Sequence, residues 1–266
     1  MENKNKPIGI FDSGVGGLTV VNHLLEVLPN ENFIFFADNA NIPYGNKNKK
    51  HLKQLVIDDI RFVSKFDIKA IAIACNTADS VIDKKTKEIA KVDIIRPIKS
   101  TAKLAVKETK NKKIGVMATK ATCLSKNYLK AINKYDDTIE VYQQPCPLLA
   151  GYIENQNCFN NEELMLEVLK QYLKPLLEKE VDTIILGCTH YPLALKYLTT
   201  LAKDINFVSS SLATVLEIEK LLKKKNLLAD KIHLREFYTN GDIEEFKEKT
   251  DKFITKDINK IIKKSY

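Results

Sequence analysis

The sequence has 266 residues, of which 44% are hydrophobic and 29% charged, a composition typical of a globular protein with a substantial core. It contains no run of 18 apolar residues and no apolar N-terminal stretch, so we expect neither a membrane span nor a signal peptide, and a cytoplasmic location. The formal net charge is +8, but lysines supply all but three of the 42 basic residues. Proteins that read nucleic acids favour clustered arginines, so the charge is better explained as a lysine bias.

The first part of the chain alternates apolar runs with amphipathic stretches, which predicts strands and helices in turn. Strands are predicted at 8–11, 33–36, 70–74 and 92–95, and helices at 18–28, 51–66 and 77–90. After Pro97 the pattern starts again, because the run from Ile114 to Thr119 resembles the run from Ile8 to Ser13. Further strands are predicted at 114–119, 139–142, 184–187, 206–208 and 235–238, with helices ending near 132, 178 and 225.

This alternation predicts an α/β fold in which two similar α/β lobes, each with a mostly parallel sheet, face each other across a central cleft. The first lobe is predicted to comprise residues 1–97 plus 208–266 and to carry Cys75. The second is predicted to comprise residues 98–207 and to carry Cys188.

Two of the predicted strands end at a cysteine. The strand 70–74 runs into Cys75-Asn76-Thr77, and the strand 184–187 runs into Cys188-Thr189-His190. Because open α/β sheets place their sites at the carboxyl ends of strands, we expect the two thiols to share one site between the lobes.

The remaining cysteines carry no recognisable pattern. Cys123, Cys146 and Cys158 are most simply core or surface residues. The five cysteines are odd in number, form no C-x-x-C pair and make no metal-ligand spacing with the histidines, so free thiols and no metal are expected.

The turn Asp12-Ser13-Gly14-Val15-Gly16-Gly17 follows the first strand and precedes a helix. Thr19 stands where a dinucleotide-binding fingerprint has its third glycine, so the turn does not predict a nucleotide cofactor. Free backbone N–H groups at this helix start could instead bind a small carboxylate.

Two thiols on opposite sides of a substrate suggest proton exchange at one carbon. One thiolate would remove the α-proton and the opposite thiol would return a proton to the other face, which inverts the configuration. The reference pKa of cysteine, about 8.5, lies near working pH and suits this task. His190 and Asp12 are candidates to support the thiols.

Together these motifs resemble the glutamate racemase family, within the aspartate/glutamate racemase superfamily. The resemblance rests on the turn 12–18, Pro43-Tyr44-Gly45, Cys75-Asn76-Thr77-Ala78 and the run from Leu186 to Leu193. It implies an isomerase without a cofactor that supplies D-glutamate for peptidoglycan, with L- or D-glutamate as the small-molecule substrate. It also implies a homodimer, and leaves open a second role directed at DNA gyrase.

The resemblance also implies roles for individual residues. Cys75 would act on the D-enantiomer and Cys188 on the L-enantiomer. The substrate's ammonium and carboxylates would be held by Asp12, Ser13, Tyr44, Gly45, Asn76, Thr77, Thr189 and His190. Supporting contacts are implied for Thr119, Thr122 and Glu154. The sequence departs from the usual pattern at Lys99, Ser100, Ala118, Ala121 and Ser209, which affects the expected loop geometry and lobe packing rather than the reaction.

Three alternatives stay open at this point. An aspartate racemase or another amino-acid racemase of the same superfamily would share the chemistry, but aspartate racemases usually have an acidic residue after Cys-Thr, where this chain has His190. A basic, non-enzymatic protein could bind nucleic acid or a DNA-handling enzyme. A thiol-redox enzyme would need the two cysteines to form a disulfide.

Overall fold

The structure is a computed structural model that describes residues 2–154, 161–254 and 261–264. Cys158, predicted to be a core or surface residue, lies outside these ranges. No described helix is both long and apolar enough to cross a membrane.

The first sheet has six parallel strands in the order β10-β9-β2-β1-β3-β4. Its central strands are fully buried because helices cover both faces, which explains their continuous apolar sequences. The strands are β1 (Ile8–Asp12), β2 (Phe33–Ala37), β3 (Ala70–Ile73), β4 (Asp93–Ile95), β9 (Arg235–Thr239) and β10 (Ile261–Lys264).

The second sheet has four parallel strands in the order β6-β5-β7-β8. Its two central strands, β5 and β7, are almost entirely buried. The strands are β5 (Lys113–Ala118), β6 (Glu140–Pro145), β7 (Thr183–Gly187) and β8 (Asn206–Ser209).

The helices connect these strands and bury one apolar side each. In chain order the described α-helices are Leu18–Val27, Lys49–Val63, Asn76–Asp79, Lys84–Ala90, Pro97–Glu108, Lys120–Ser125, Asn127–Asn133, Leu149–Glu154, Glu162–Leu177, Leu195–Leu201, Ser210–Lys225 and Ile243–Phe253. The helix Ser210–Lys225 packs against both Pro97–Glu108 and Leu18–Val27, so it joins the two halves of the molecule.

The predicted fold class, with two mostly parallel α/β lobes, is confirmed. The strands before Pro97 and after Arg235 form one sheet, and those from Lys113 to Ser209 form the other. The exact lobe boundaries, 1–97 plus 208–266 and 98–207, stay a prediction.

Several elements differ from the sequence-based expectation. The predicted helix 77–90 is two helices, because the Asp83 side chain accepts from the Thr86 N–H and starts a new one. The predicted helix ending near 132 is also divided, at Lys126, whose φ is 55°. The helices Pro97–Glu108 and Ile243–Phe253 and the strand β10 were not predicted.

Candidate active site

A cavity of about 360 Å³ lies between the two sheets, at the carboxyl ends of their strands. It brings together both candidate thiols, Cys75 and Cys188. Nine other residues singled out from the sequence line the same cavity: Ser13, Tyr44, Gly45, Asn76, Thr77, Thr119, Glu154, Thr189 and His190. Asp12 and Thr122 are buried and contact lining residues from behind the wall.

Cys75 follows β3 and begins the short helix Asn76–Asp79. Its Sγ accepts a hydrogen bond from the Ala78 N–H at 3.4 Å and donates one to Ser13 Oγ at 3.6 Å. Burial, followed by the nearby charge of Asp12, raises the pKa of the Cys75 thiol well above its ordinary value. At neutral pH Cys75 is therefore a neutral thiol, the form that can donate a proton.

Cys188 follows β7 and has a different neighbour. Its Sγ lies 3.8 Å from Nδ1 of His190, and both side chains are buried. Cys75 and Cys188 are both free cysteines. The disulfide that a thiol-redox enzyme would need is therefore not formed between them. Cys123 and Cys146 are also free and buried, in line with their expected place in the core.

His190 connects Cys188 to a carboxylate and a lysine. Its Nε2 makes an ion-pair contact of 3.3 Å with Glu154 Oε2, outside hydrogen-bond geometry, and Lys249 Nζ lies 3.2 Å from Glu154 Oε1. Burial disfavours the charged imidazole, but the interactions with Cys188 and Glu154 outweigh it and raise the pKa of His190 to about 10. Burial would raise the pKa of Glu154, but His190 and Lys249 lower it to about 2. Near neutral pH the anionic Glu154 therefore lies between two cations, Lys249 and His190.

Asp12 is a buried carboxylate held by the glycine-rich turn. Its Oδ2 accepts from the N–H groups of Gly14 and Gly17 at 3.2 and 3.0 Å. Thr189 Oγ1 lies 3.5 Å from both carboxylate oxygens. Burial raises the pKa of Asp12 to about 6, against the lowering effect of His190 and the two N–H groups. Above that pH Asp12 supplies a negative charge directly behind the cavity.

Gly16 explains why the turn needs glycine. A Cβ added there would lie 2.4 Å from ring atoms of His190 and 2.6 Å from Thr189 Oγ1, much closer than non-bonded atoms approach. The turn after β1 therefore presses against the segment after β7. Thr19, which replaces the third glycine of a nucleotide fingerprint, donates to Thr189 O at 3.0 Å and so joins the same two segments.

Three threonines form a hydroxyl cluster on the other side of the cavity. Thr77 Oγ1 lies 2.8 Å from Thr119 Oγ1 and 3.4 Å from Thr122 Oγ1, and the latter two are 3.0 Å apart. The cluster joins the end of β3 to the end of β5. Asn76 beside it is fixed by Tyr128, which donates to its Oδ1, and by a hydrogen bond to Ser210.

The positions that depart from the family pattern lie outside the cavity lining. Ala118 is buried in β5, Ala121 is half-buried and Lys99 is exposed. Ser100 donates to Arg96 O at 2.9 Å, and Ser209 Oγ accepts from the Leu212 N–H at the start of a helix. These contacts are local to each helix start.

Sequence reasoning missed several residues that line the cavity, chiefly Lys249, Glu245, Lys120 and Leu148. Lys249 and Glu245 lie on the helix Ile243–Phe253, where the available signal was the helical spacing of the buried Phe246, Thr250 and Phe253. Within the described ranges, no three His, Cys, Asp or Glu side chains are grouped to hold a metal ion.

Comparison with known proteins gives one consistent result. The family model for Asp/Glu/Hydantoin racemase matches residues 19–218. A glutamate racemase from Thermoanaerobacter sp. (strain X514) is 40% identical over 243 residues, covering 91% of this chain and 90% of that protein.

Two solved structures agree with this result. A glutamate racemase isoform from Bacillus anthracis superposes with a TM-score of 0.93 at 34% identity, covering 99% of this chain and 98% of that one. The Francisella tularensis glutamate racemase, solved with D-glutamate, gives a TM-score of 0.89 at 32% identity, again covering 99% and 98%. As the sequence resemblance predicted, the chain belongs to the Asp/Glu/Hydantoin racemase family of isomerases.

Proposed function

We propose that this protein interconverts L- and D-glutamate by two-thiol proton transfer at the α-carbon, without a cofactor. The observation that carries the proposal is that Cys75 and Cys188, which follow strands of different sheets, line the same cavity. The similarity to glutamate racemases supports glutamate as the substrate.

In the proposed reaction the two thiols have opposite tasks. With L-glutamate, the Cys188 thiolate takes the α-proton, and the Cys75 thiol donates its own proton to the opposite face of the same carbon. With D-glutamate the tasks are exchanged. His190 Nδ1 lies 3.8 Å from the Cys188 sulfur and can interact with it as it takes the proton, and the buried Cys75 supplies the thiol. Both sulfurs then exchange protons with solvent before the next turnover.

The surrounding polar groups fit a substrate with one ammonium and two carboxylates. We assign the ammonium to the side of the cavity near Asp12, which is ionised above about pH 6. We assign the carboxylates to the hydroxyls of Ser13, Thr77, Thr119 and Thr189, which line or face the cavity. Tyr44 and Gly45 also line the cavity, and Gly45 packs against Thr119.

Three further expectations follow from the family resemblance and stay predictions. They are supply of D-glutamate for peptidoglycan, a cytoplasmic location and a homodimer. The same resemblance leaves open a second role directed at DNA gyrase.

The test is an assay with the pure protein. Protein dialysed against a chelator is incubated with L- or D-glutamate, without pyridoxal phosphate, metal or nucleotide, and circular dichroism of the amino acid is followed. We expect both solutions to reach zero optical signal, because the enantiomers have equal free energy. Parallel incubations with L- and D-aspartate should react much more slowly. Activity that appears only after a cofactor is added, or only with aspartate, would overturn the proposal.

A further inference from the structure

The Tyr44 hydroxyl lies between two buried carboxyl groups. Tyr44 is 2% exposed, and Asp38 and Asp59 are each 2% exposed. The hydroxyl contacts Asp38 Oδ2 in a short hydrogen bond and lies 2.9 Å from Asp59 Oδ2. Tyr44 reaches this position from the cavity wall, and Asp59 from the helix Lys49–Val63.

Counting protons shows that the two carboxyls cannot both be ionised in this arrangement. A tyrosine hydroxyl has one proton to donate, whereas a carboxylate can only accept. If both aspartates were charged, one would face the phenol oxygen with no proton between them, and a buried charge would lack a partner. One of the two carboxyls must therefore carry a proton and donate it to the Tyr44 oxygen.

The surrounding donors show which carboxyl carries that proton. Asp38 Oδ1 also accepts from the side-chain amides of Asn41, at 2.8 Å, and Asn240, so this carboxyl already faces two further donors. The Tyr44 contact is the one hydrogen bond that the described residues give the Asp59 carboxyl. Burial, and then the charges of Asp38, Asp12 and Asp58, raise the pKa of Asp59 well above its ordinary value.

Basic groups also lie nearby but do not pair with Asp59. Arg61 and Lys65, on or just after the same helix, line an adjoining cavity with Asp38, Asp58 and Asp59. Arg61 is engaged with Asp58 at 3.3 Å, and no ion pair between Asp59 and either base occurs in the described part of the chain.

We propose that Asp59 is a neutral carboxylic acid at neutral pH, and that it acts as a positioning residue by donating its proton to Tyr44. The resulting chain, Asp59 to Tyr44 to Asp38, holds the segment 38–45 against the cavity. The adjacent Gly45 is packed tightly there, because a Cβ on it would lie 3.1 Å from Thr119 Cβ. Loss of the Asp59 proton at alkaline pH places two negative charges around one hydroxyl and loosens this wall.

For substrate binding, the inference rests on the proposed racemase function. We expect KM for both glutamate enantiomers to increase when the pH exceeds the pKa of Asp59. The change in kcat should be smaller, because the thiols do not belong to the hydrogen-bonded series Asp59–Tyr44–Asp38.

Asp59→Asn should keep KM within about twofold of wild type at neutral pH, since an amide can donate to the phenol oxygen as the acid does. It should also remove the alkaline rise attributed to Asp59. Asp59→Ala should raise KM about tenfold by leaving the buried hydroxyl oxygen without its donor. Asp58→Asn, at the exposed neighbour, should keep the wild-type KM at neutral pH but move the alkaline rise in KM to lower pH, because the Asp58 charge is one of those that raise the pKa of Asp59.

A measurement that needs no turnover tests the protonation state. In carbon-13 NMR of protein labelled at the aspartate Cγ, the signal lost in Asp59→Asn should have the chemical shift of a protonated acid at pH 7. Its titration should start only at higher pH. This readout stands even if the protein does not act on glutamate, so failure of the two proposals can be told apart. The inference would be overturned by an Asp59 signal with the shift of a carboxylate at pH 7. It would equally be overturned if Asp59→Asn raised KM as much as Asp59→Ala.

Discussion

Cys188 Sγ lies 3.8 Å from His190 Nδ1, whereas Cys75 Sγ contacts Ser13 Oγ and the Ala78 N–H. The two thiols that the proposed reaction uses in turn therefore have different electrostatic surroundings. One faces a histidine that is cationic near neutral pH, and the other a hydroxyl and a backbone amide. The L- and D-directions should differ in their individual kinetic constants, although the overall equilibrium is symmetric.

Replacing His190 by alanine should reduce kcat from L-glutamate by roughly 10²-fold and from D-glutamate by less, because the histidine supports Cys188. The ratio of the two kcat/KM values is fixed by the equilibrium constant, so the difference must appear in kcat and KM separately. Initial rates in both directions measure it, with His51→Ala, on the exposed surface, as the control. Equal losses of kcat in the two directions would assign His190 to binding or packing alone.

The ion pair between Glu154 and His190 should make stability depend on pH in a defined window. Cys188 and then Glu154 raise the pKa of His190 from 6.5 to about 10, so the stabilisation from these contacts, of which Glu154 supplies a part, is complete below about pH 6.5 and is lost as pH rises through 10. The pKa of Glu154 is lowered from 4.5 to about 2, so its contribution is present above 4.5 and is lost as pH falls through 2. The stabilisation of wild type over Glu154→Gln should therefore be greatest between about pH 4.5 and 6.5.

Urea unfolding of the two proteins at a series of pH values measures this difference. Lys249→Met is a useful companion, because it removes the second cation beside Glu154 but leaves His190 in place. Without Lys249 the pKa of Glu154 should be less lowered, so the stabilisation should be lost at a higher pH on the acid side. The loss on the alkaline side should be largely unchanged. A difference between wild type and Glu154→Gln that is constant from pH 5 to 10 would contradict the pairing.

Gly16→Ala should damage both stability and activity. The new methyl group would overlap the His190 ring and Thr189 Oγ1, so the turn and the segment after β7 must separate. Overpacking of this kind costs about 1–3 kcal/mol, and the separation also displaces His190 from Cys188. Chemical unfolding and initial rates measure the two effects. Gly151→Ala is a matched stability control, because its Cβ would meet nothing within 4 Å. Equal stability of both variants would show that the turn at Gly16 does not pack tightly against His190 and Thr189.

Arg96→Met should destabilise the fold. Asp79 is fully buried, and its Oδ1 accepts from Arg96 while its Oδ2 accepts from the Ile98 N–H at 2.9 Å. Removing the arginine leaves a buried carboxyl without its cation, which costs about 3–5 kcal/mol. Lys99→Met, on the exposed side of the same helix, should have little effect. The double variant Arg96→Met with Asp79→Asn should recover part of the loss. No recovery would mean that Arg96 acts through other contacts.

The residues that could be found from the sequence are those fixed by sheet geometry. Cys75 and Cys188 follow apolar strands, and parallel strands bring their carboxyl ends to one edge, so a shared cavity was predictable. The glycines in the sequence also located the turn after β1. In the structure one of them, Gly16, packs closely against His190.

Other parts of the site depend on contacts between distant segments that local patterns do not encode. Lys249 reaches Glu154 from a helix that had not been predicted at all. Asp59 and Tyr44 are 15 positions apart, and only the packing of a helix against the cavity wall makes their contact evident. The prediction of one helix over 77–90 was wrong for a related reason. The first helix ends at Asp79, which binds the distant Arg96, and Asp83 starts a separate helix.

The central claim, one thiol on each face of the α-carbon, is tested most directly by racemisation in D₂O. L-glutamate is incubated with the wild-type protein, and both enantiomers are analysed for deuterium at the α-carbon during the initial phase. We expect the D-glutamate formed to carry deuterium while the remaining L-glutamate stays mostly unlabelled, because the thiol that donates the proton is not the one that removed it. D-glutamate that retains the original α-proton through many turnovers would contradict the two-thiol mechanism and indicate a single base.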